Sequence, residues 1–308
     1  MLTTESRPTD DRVERLSSVS IKKVLEPEEL FDWSSMGPGQ VLPDELLSVA
    51  GLGLDLTPEQ RARLSREEAA SMLGNGLRFE AILTAGFAWQ IAGADDLTDP
   101  RVTYMLHEIG EESRHSRAFA RLITELGPTA VNPLGGKVGR FVQRKTTNFI
   151  ARQPALLCVM ILAGEEIPDL LQKMAVDHPD TDPLLASVNR YHRQEEARHL
   201  AFARMTLPEL YAEAGRNERR RIRWMAPLFI GGLFETFIHP GVYKTVGLPG
   251  FKTWKAAHAT KERKAVEHQA TRPILQALID ADIVRPGRIP RPWRTLCGVD
   301  RKGQPLPV

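Results

Sequence analysis

Two cysteines, Cys158 and Cys297, carry all the thiol chemistry of the chain, too few for a disulfide framework or a thiolate metal cage. Cys158 sits in the apolar run Ala155-Leu156-Leu157-Cys158-Val159-Met160 and reads as core. An excess of one charge sign is missing too, since 41 Lys and Arg face 39 Asp and Glu for a net charge of +2. That balance excludes general electrostatic recruitment to nucleic acid or an anionic membrane. The longest apolar stretches, 154–164 and 224–234, have about half the ~20 residues that a bilayer crossing needs. Met1 to Pro8 shows neither the basic nor the apolar block of a secretory leader, and its polarity suggests an unstructured start. A reducing, cytoplasmic setting is the expectation. Short alternating β-branched runs are absent, which argues against a sheet.

Helix punctuation is plentiful. Thr57-Pro58, Asp99-Pro100 and Asp182-Pro183 each join a capping residue to a proline at the first helical position. Gln60, three residues after Thr57, completes a capping box. Helices are expected over Pro58 to about Ala88–Gly93, Pro100 to Leu126, Pro154 to Val176 and Pro183 to Met205. Thr206-Leu207-Pro208 should open a fifth toward Gly231, and Phe251 to Ala281 should be helical with a break at Arg272-Pro273. Leu134-Gly135-Gly136 reads as the loop of a long crossover, and no internal repeat stands out. The expected fold is an all-α helical bundle over 57–284 with additional C-terminal helices. An arm with short helices (1–56) precedes it, and a Pro/Arg-rich tail (285–308) follows.

The chemistry-bearing residues recur at helical spacing. Glu112 and His115 lie three apart, so at about 100° per residue they share a face. His192, Glu196 and His199 fall within an arc of roughly 60° on the fourth helix by the same geometry. Two Glu-x-x-His pairs on separate helices, with one more Glu from each of two others, are the donor set of a di-iron carboxylate bundle. Iron favours carboxylate and imidazole donors over thiolate. Glu80, flanked by apolar residues far from either helix end, is the first-helix candidate, because an unpaired carboxylate there is costly to bury. The third helix offers Glu165 or Glu166. Glu165 is preferred because Asp169 lies one turn on along its face and would orient a ligating histidine, although Glu166 continues the apolar stripe of Val159, Ala163 and Leu170. Tyr104 shares a face with Glu108 and Glu112 and is expected either to approach the metals or to be buried and hydrogen-bonded. His239, before Pro240, suits a helix-end role. Isolated, such pairs are usually solvated surface; their joint occurrence on four helices favours a metal site.

With these residues in view, the chain resembles the p-aminobenzoate N-oxygenase family of ferritin-like di-iron proteins. The match rests on Glu80, Glu112-x-x-His115, the Glu-Glu-Ile-x-Asp stretch Glu165–Asp169, and His192-x-x-x-Glu196-x-x-His199. The resemblance implies seven metal ligands: Glu80, Glu112, His115, Glu165, His192, Glu196 and His199. It also implies two iron ions, O2 as co-substrate, a small-molecule amine substrate, an external electron donor and a homodimer. C–H hydroxylation or desaturation would use the same ligands, and iron storage or ferroxidase activity is disfavoured by the long segment after Met205. Were the substrate a carboxylated aromatic amine, Arg272, in an apolar helical context, would be the candidate anchor; the commoner outcome for such a residue is a surface arginine whose stem covers apolar neighbours.

Overall fold

A computed structural model describes residues 9–22 and 24–307; the polar start, 1–8, lies outside them. The chain is all-α. Among the described residues the only extended pairing is an isolated bridge between Val299 and Pro305. The N-terminal arm carries α1 (Asp10–Lys22), α2 (Pro27–Leu30) and three short 3-10 turns. Four long helices follow: α3 (Pro58–Ala92), α4 (Pro100–Leu126), α6 (Pro154–Asp177) and α7 (Pro183–Glu213), with α5 (Lys137–Ala151) between α4 and α6. The C-terminal third holds α8 (Arg216–Trp224), α9 (Ala226–Thr236), α10 (Gly241–Lys244), α11 (Gly250–His258), α12 (Lys261–Asp280) and α13 (Arg291–Cys297).

Local chemistry sets the four long helices. Thr57 accepts from Gln60 N at 3.2 Å while Gln60 Oε1 accepts from Thr57 N at 2.9 Å, closing the box that starts α3. Asp99 caps α4 through Arg101 N and Asp182 caps α7 through Leu184 N. Gly127, at φ 58°, ends α4 in the left-handed conformation that glycine adopts without strain. Short connections make α3–α4 and α6–α7 antiparallel hairpins, and the long link between them crosses the bundle. Every residue from Ala155 to Ile167 is buried, so α6 is the central helix.

Two expectations need correction. Pro208 does not open a new helix: α7 runs through it to Glu213, because Leu207 is fully buried and Leu210 and Tyr211 pack on the core beyond it. The break near the C-terminus falls at Ala259–Thr260, where Thr260 caps α12 through Arg263 N, and Pro273 is inside α12, held by buried Ile274, Leu275 and Leu278. The crossover entered at Leu134-Gly135-Gly136 also contains the amphipathic α5. Within the Pro/Arg-rich tail, α13 buries Trp293 completely and ties its Nε1 to Ile222 O at 3.1 Å.

Candidate metal centre

The helices bring seven carboxylates and imidazoles, plus one unforeseen glutamate, into a buried polar layer inside the bundle. One ligand atom from each of Glu80, His115, His192 and Glu196 lies within 4.8 Å of the others; Glu108, Glu112 and His199 form a second such group, and Glu80, Glu112 and Glu165 a third. All eight residues are buried. Glu112 and Glu196 each reach both histidines of the Glu-x-x-His pairs. Glu112 lies 3.3 Å from His115 Nδ1 and 3.0 Å from His199 Nδ1, and Glu196 lies 3.1 and 3.0 Å from the same two atoms. His192 presents Nε2 to Glu80 and Glu196, 3.3 Å from each.

The remaining ring nitrogens are engaged outside the cluster. His115 Nε2 meets Glu195 at 3.0 Å, His199 Nε2 meets Glu111 at 2.7 Å, and His192 Nδ1 meets Gln172 Oε1 at 3.0 Å. Such contacts fix ring orientation and raise donor basicity. Arg198 forms an ion pair with Glu111 at 2.8 Å and donates to Glu195 at 3.4 Å, so the orienting carboxylates are themselves held.

Asp169 does not take this role: it pairs with Arg193 at 2.7 Å, half exposed, because α6 turns it away from the cluster. Glu165 faces the cluster, whereas Glu166 pairs with Arg204. Tyr104 is fully buried with its ring 4.4 Å from Phe202, and its hydroxyl finds no partner, contrary to the hydrogen-bonded expectation. His239 stays outside the cluster; its backbone N–H donates to Ser71. Arg272 is an interhelical tie, its Nε donating to Cys297 O at 3.1 Å.

Glu108, Glu111, Glu195 and Gln172 were the residues sequence reasoning passed over. A signal existed for three of them. The stretch Glu108-Ile-Gly-Glu111-Glu112-Ser-Arg114-His115 of α4 recurs on α7 as His192-Arg-Gln-Glu195-Glu196-Ala-Arg198-His199. This is a short internal repeat, hidden because its first position changes residue type.

The electrostatics are those of an anionic cage. Burial disfavours the imidazolium of His115 and His199, yet the surrounding carboxylates outweigh it and raise both pKa values well above the usual range. Burial, reinforced by Glu196 and Glu112, holds Glu165 protonated far above the carboxylate range. Burial also lifts Glu108 to about 7, while it depresses His192 to about 4. Both oxygens of Glu108 and one oxygen each of Glu80 and Glu165 lack any hydrogen-bond partner despite being buried. Orphaned carboxylate oxygens at this density fit a pair of cations.

The family profile described as P-aminobenzoate N-oxygenase AurF matches residues 7–282, nearly the whole chain. The chain belongs to the AurF family. Among similar proteins, the uncharacterized protein Rv0885 of Mycobacterium tuberculosis and the uncharacterized protein Mb0909 of Mycobacterium bovis are each 26% identical over 238 residues, covering 73% of this chain and 68% of the relative. No solved structure matches. AurF membership makes the protein an oxygenase, and no helix among the described residues is long and apolar enough to cross a membrane.

A cavity of about 80 Å3 adjoins the cluster, with Glu80 and His192 among its lining residues. Its walls are apolar, with Phe79, Phe119, Phe237, Met72 and Leu73 prominent, and no Lys or Arg lines it. Gly164 shapes one wall, because a Cβ there would lie 1.8 Å from the Phe79 ring. A neighbouring cavity shares Leu42, Met72 and Leu171 as walls and is lined by Arg263.

Proposed function

We propose that this protein is a non-haem di-iron monooxygenase that N-oxygenates an aromatic or similarly activated amine. The observation that carries the proposal is the shared wall: Glu80 and His192 belong both to the carboxylate–histidine cluster and to the apolar cavity. An amine lodged among Phe79, Phe119 and Phe237 would meet the cluster with its nitrogen. Glu80, Glu112, His115, Glu165, His192, Glu196 and His199 would hold two irons, whose bound form supplies O2 reduction. Gln172 accepts from His192 Nδ1 and thereby keeps Nε2 free for a metal. Glu195 and Glu111 hold His115 and His199 with Nδ1 inward. The apolar wall keeps water from competing at the cluster. Conversion of R–NH2 to R–NHOH consumes one O2, two electrons and two protons and releases one water, so an external reductant completes each turnover.

The test is to load the protein anaerobically with ferrous iron, add 18O2, a reductant and a panel of aryl amines, and locate the label by mass spectrometry. Label on nitrogen is expected. Label on carbon would make the protein a C–H hydroxylase, and no label in any product with two irons bound per chain would reject both.

A further inference from the structure

The repeat shared by α4 and α7 relates the two halves of the centre by an approximate twofold. It pairs α3 with α6 and α4 with α7, and so sends Glu80, His115, His192 and Glu196 onto Glu165, His199, Glu108 and Glu112 in that order. The first four are one of the mutually close groups, and the last three of their counterparts are another. His192, Glu196 and His199 stand at i, i+4 and i+7 of α7; Glu108, Glu112 and His115 stand at i, i+4 and i+7 of α4. The position that His192 fills for one half of the site is filled by Glu108 for the other.

We infer that Glu108 is an eighth protein ligand, donating a carboxylate oxygen to the metal held by Glu112 and His199, an inference that rests on the di-metal reading above. Glu108 is 0% exposed, and neither of its oxygens has a hydrogen-bond partner. The phenol of Tyr104, one turn back on the same helix, also lacks a partner, so it does not satisfy Glu108. A carboxylate wholly removed from water needs a compensating cation or donor, and two arginines nearby, Arg114 and Arg198, are committed to Glu111 and Glu195. Among the described residues, Glu108 has a ligand atom within 4.8 Å of ligand atoms of Glu112 and His199. With Glu108 included, each metal draws four residues: Glu80, His115, His192 and Glu196 for one, Glu165, His199, Glu108 and Glu112 for the other. One metal therefore has two imidazoles and its neighbour one, an electronic asymmetry built by a single substitution between the repeats.

The experiment compares wild type, Glu108→Gln and Glu108→Ala. Metal content and two-site affinity are measured by titrating the metal-free chain with Fe(II) or Co(II), Mössbauer spectra are taken after 57Fe loading, and melting is followed without metal. Wild type is expected to bind two metals. Both variants should weaken one site at least tenfold, the lower end of what losing even an outer partner costs, and leave the other unchanged. One quadrupole doublet should shift while its partner stays. Metal-free Glu108→Gln should melt no lower than wild type, because it removes a buried carboxylate and keeps the shape. Two sites of wild-type affinity with both doublets unchanged in the variants would overturn the assignment. So would a metal-free Glu108→Gln that melts lower with unaltered metal binding, which would make Glu108 a packing residue. Fewer than two metals in wild type would instead sink the di-metal reading, and the inference with it.

Discussion

Glu195 of α7 binds the outward nitrogen of His115 of α4 at 3.0 Å, so each of these two helices supplies the group that aims the other's histidine; Glu111 and His199 make the reciprocal contact at 2.7 Å. The crossing pairs lock the rotation of α4 against α7, and with it the inward direction of both Nδ1 atoms. Glu195→Ala should weaken metal binding about 10- to 100-fold with the helical content unchanged. Metal titration of the metal-free variant, alongside its circular dichroism spectrum, checks this. Unaltered affinity would show that packing alone orients His115.

Glu68 provides a pH signature away from the carboxylate–histidine cluster. Its carboxyl is buried, bonded to Ser48 at 2.5 Å, and burial pushes its pKa up to about 7 from 4.5. The unfolded chain releases this proton near pH 4.5 and the folded chain holds it to about 7, so in that window the folded state binds more protons. The Glu68 contribution is fully present below pH 4.5 and is lost as pH rises through 7, a change on the order of 3 kcal/mol. Relative to Glu68→Gln, wild type should therefore lose stability between pH 4.5 and 7. Denaturant melts at several pH values measure the difference, and a pH-independent difference would remove Glu68 as its source.

Gly164 and Phe79 form a matched pair in the cavity wall. Gly164→Ala must displace the Phe79 ring, since the new Cβ would sit 1.8 Å from Cζ. We expect about 1–3 kcal/mol of destabilisation, the range for overpacking, and a raised Michaelis constant as the ring moves into the cavity. Adding Phe79→Leu should recover part of both. Additive losses in the double variant would mean that the two residues do not share that space.

The cavity beside Glu80 and His192 has no cationic lining residue, so neutral aryl amines should be better substrates than carboxylated ones. A comparison of 4-methylaniline with p-aminobenzoate, reading kcat/KM for each, is expected to favour the neutral amine by at least tenfold, about 1.4 kcal/mol. Preference for p-aminobenzoate would indicate that Met72 and Leu171 yield and let a carboxylate reach Arg263 in the adjoining cavity.

Much of the bundle was legible because helix ends are written locally. Thr57-Pro58, Asp99-Pro100 and Asp182-Pro183 carry their own hydrogen-bond partners within three residues, and the same local periodicity puts Glu112 with His115, and His192 with Glu196 and His199, on single faces. The internal prolines misled for the opposite reason. Pro208 and Pro273 each remove one helical hydrogen bond, but long-range burial of Leu207 and of Ile274 and Leu275 decides whether the helix continues.

Donor types and their spacing along each helix were thus determined by the sequence alone, since 3.6 residues per turn is a property of the backbone. Tertiary structure decided which neighbour each donor meets. It turned Glu165 toward the cluster and Glu166 toward Arg204, sent Asp169 to Arg193 in place of a histidine, and brought Gln172 to His192. It also set Arg272 against the Cys297 carbonyl, away from the cavity. Those choices depend on how far each helix is rotated about its axis, and that rotation is set by side chains distant in sequence that pack against its other faces.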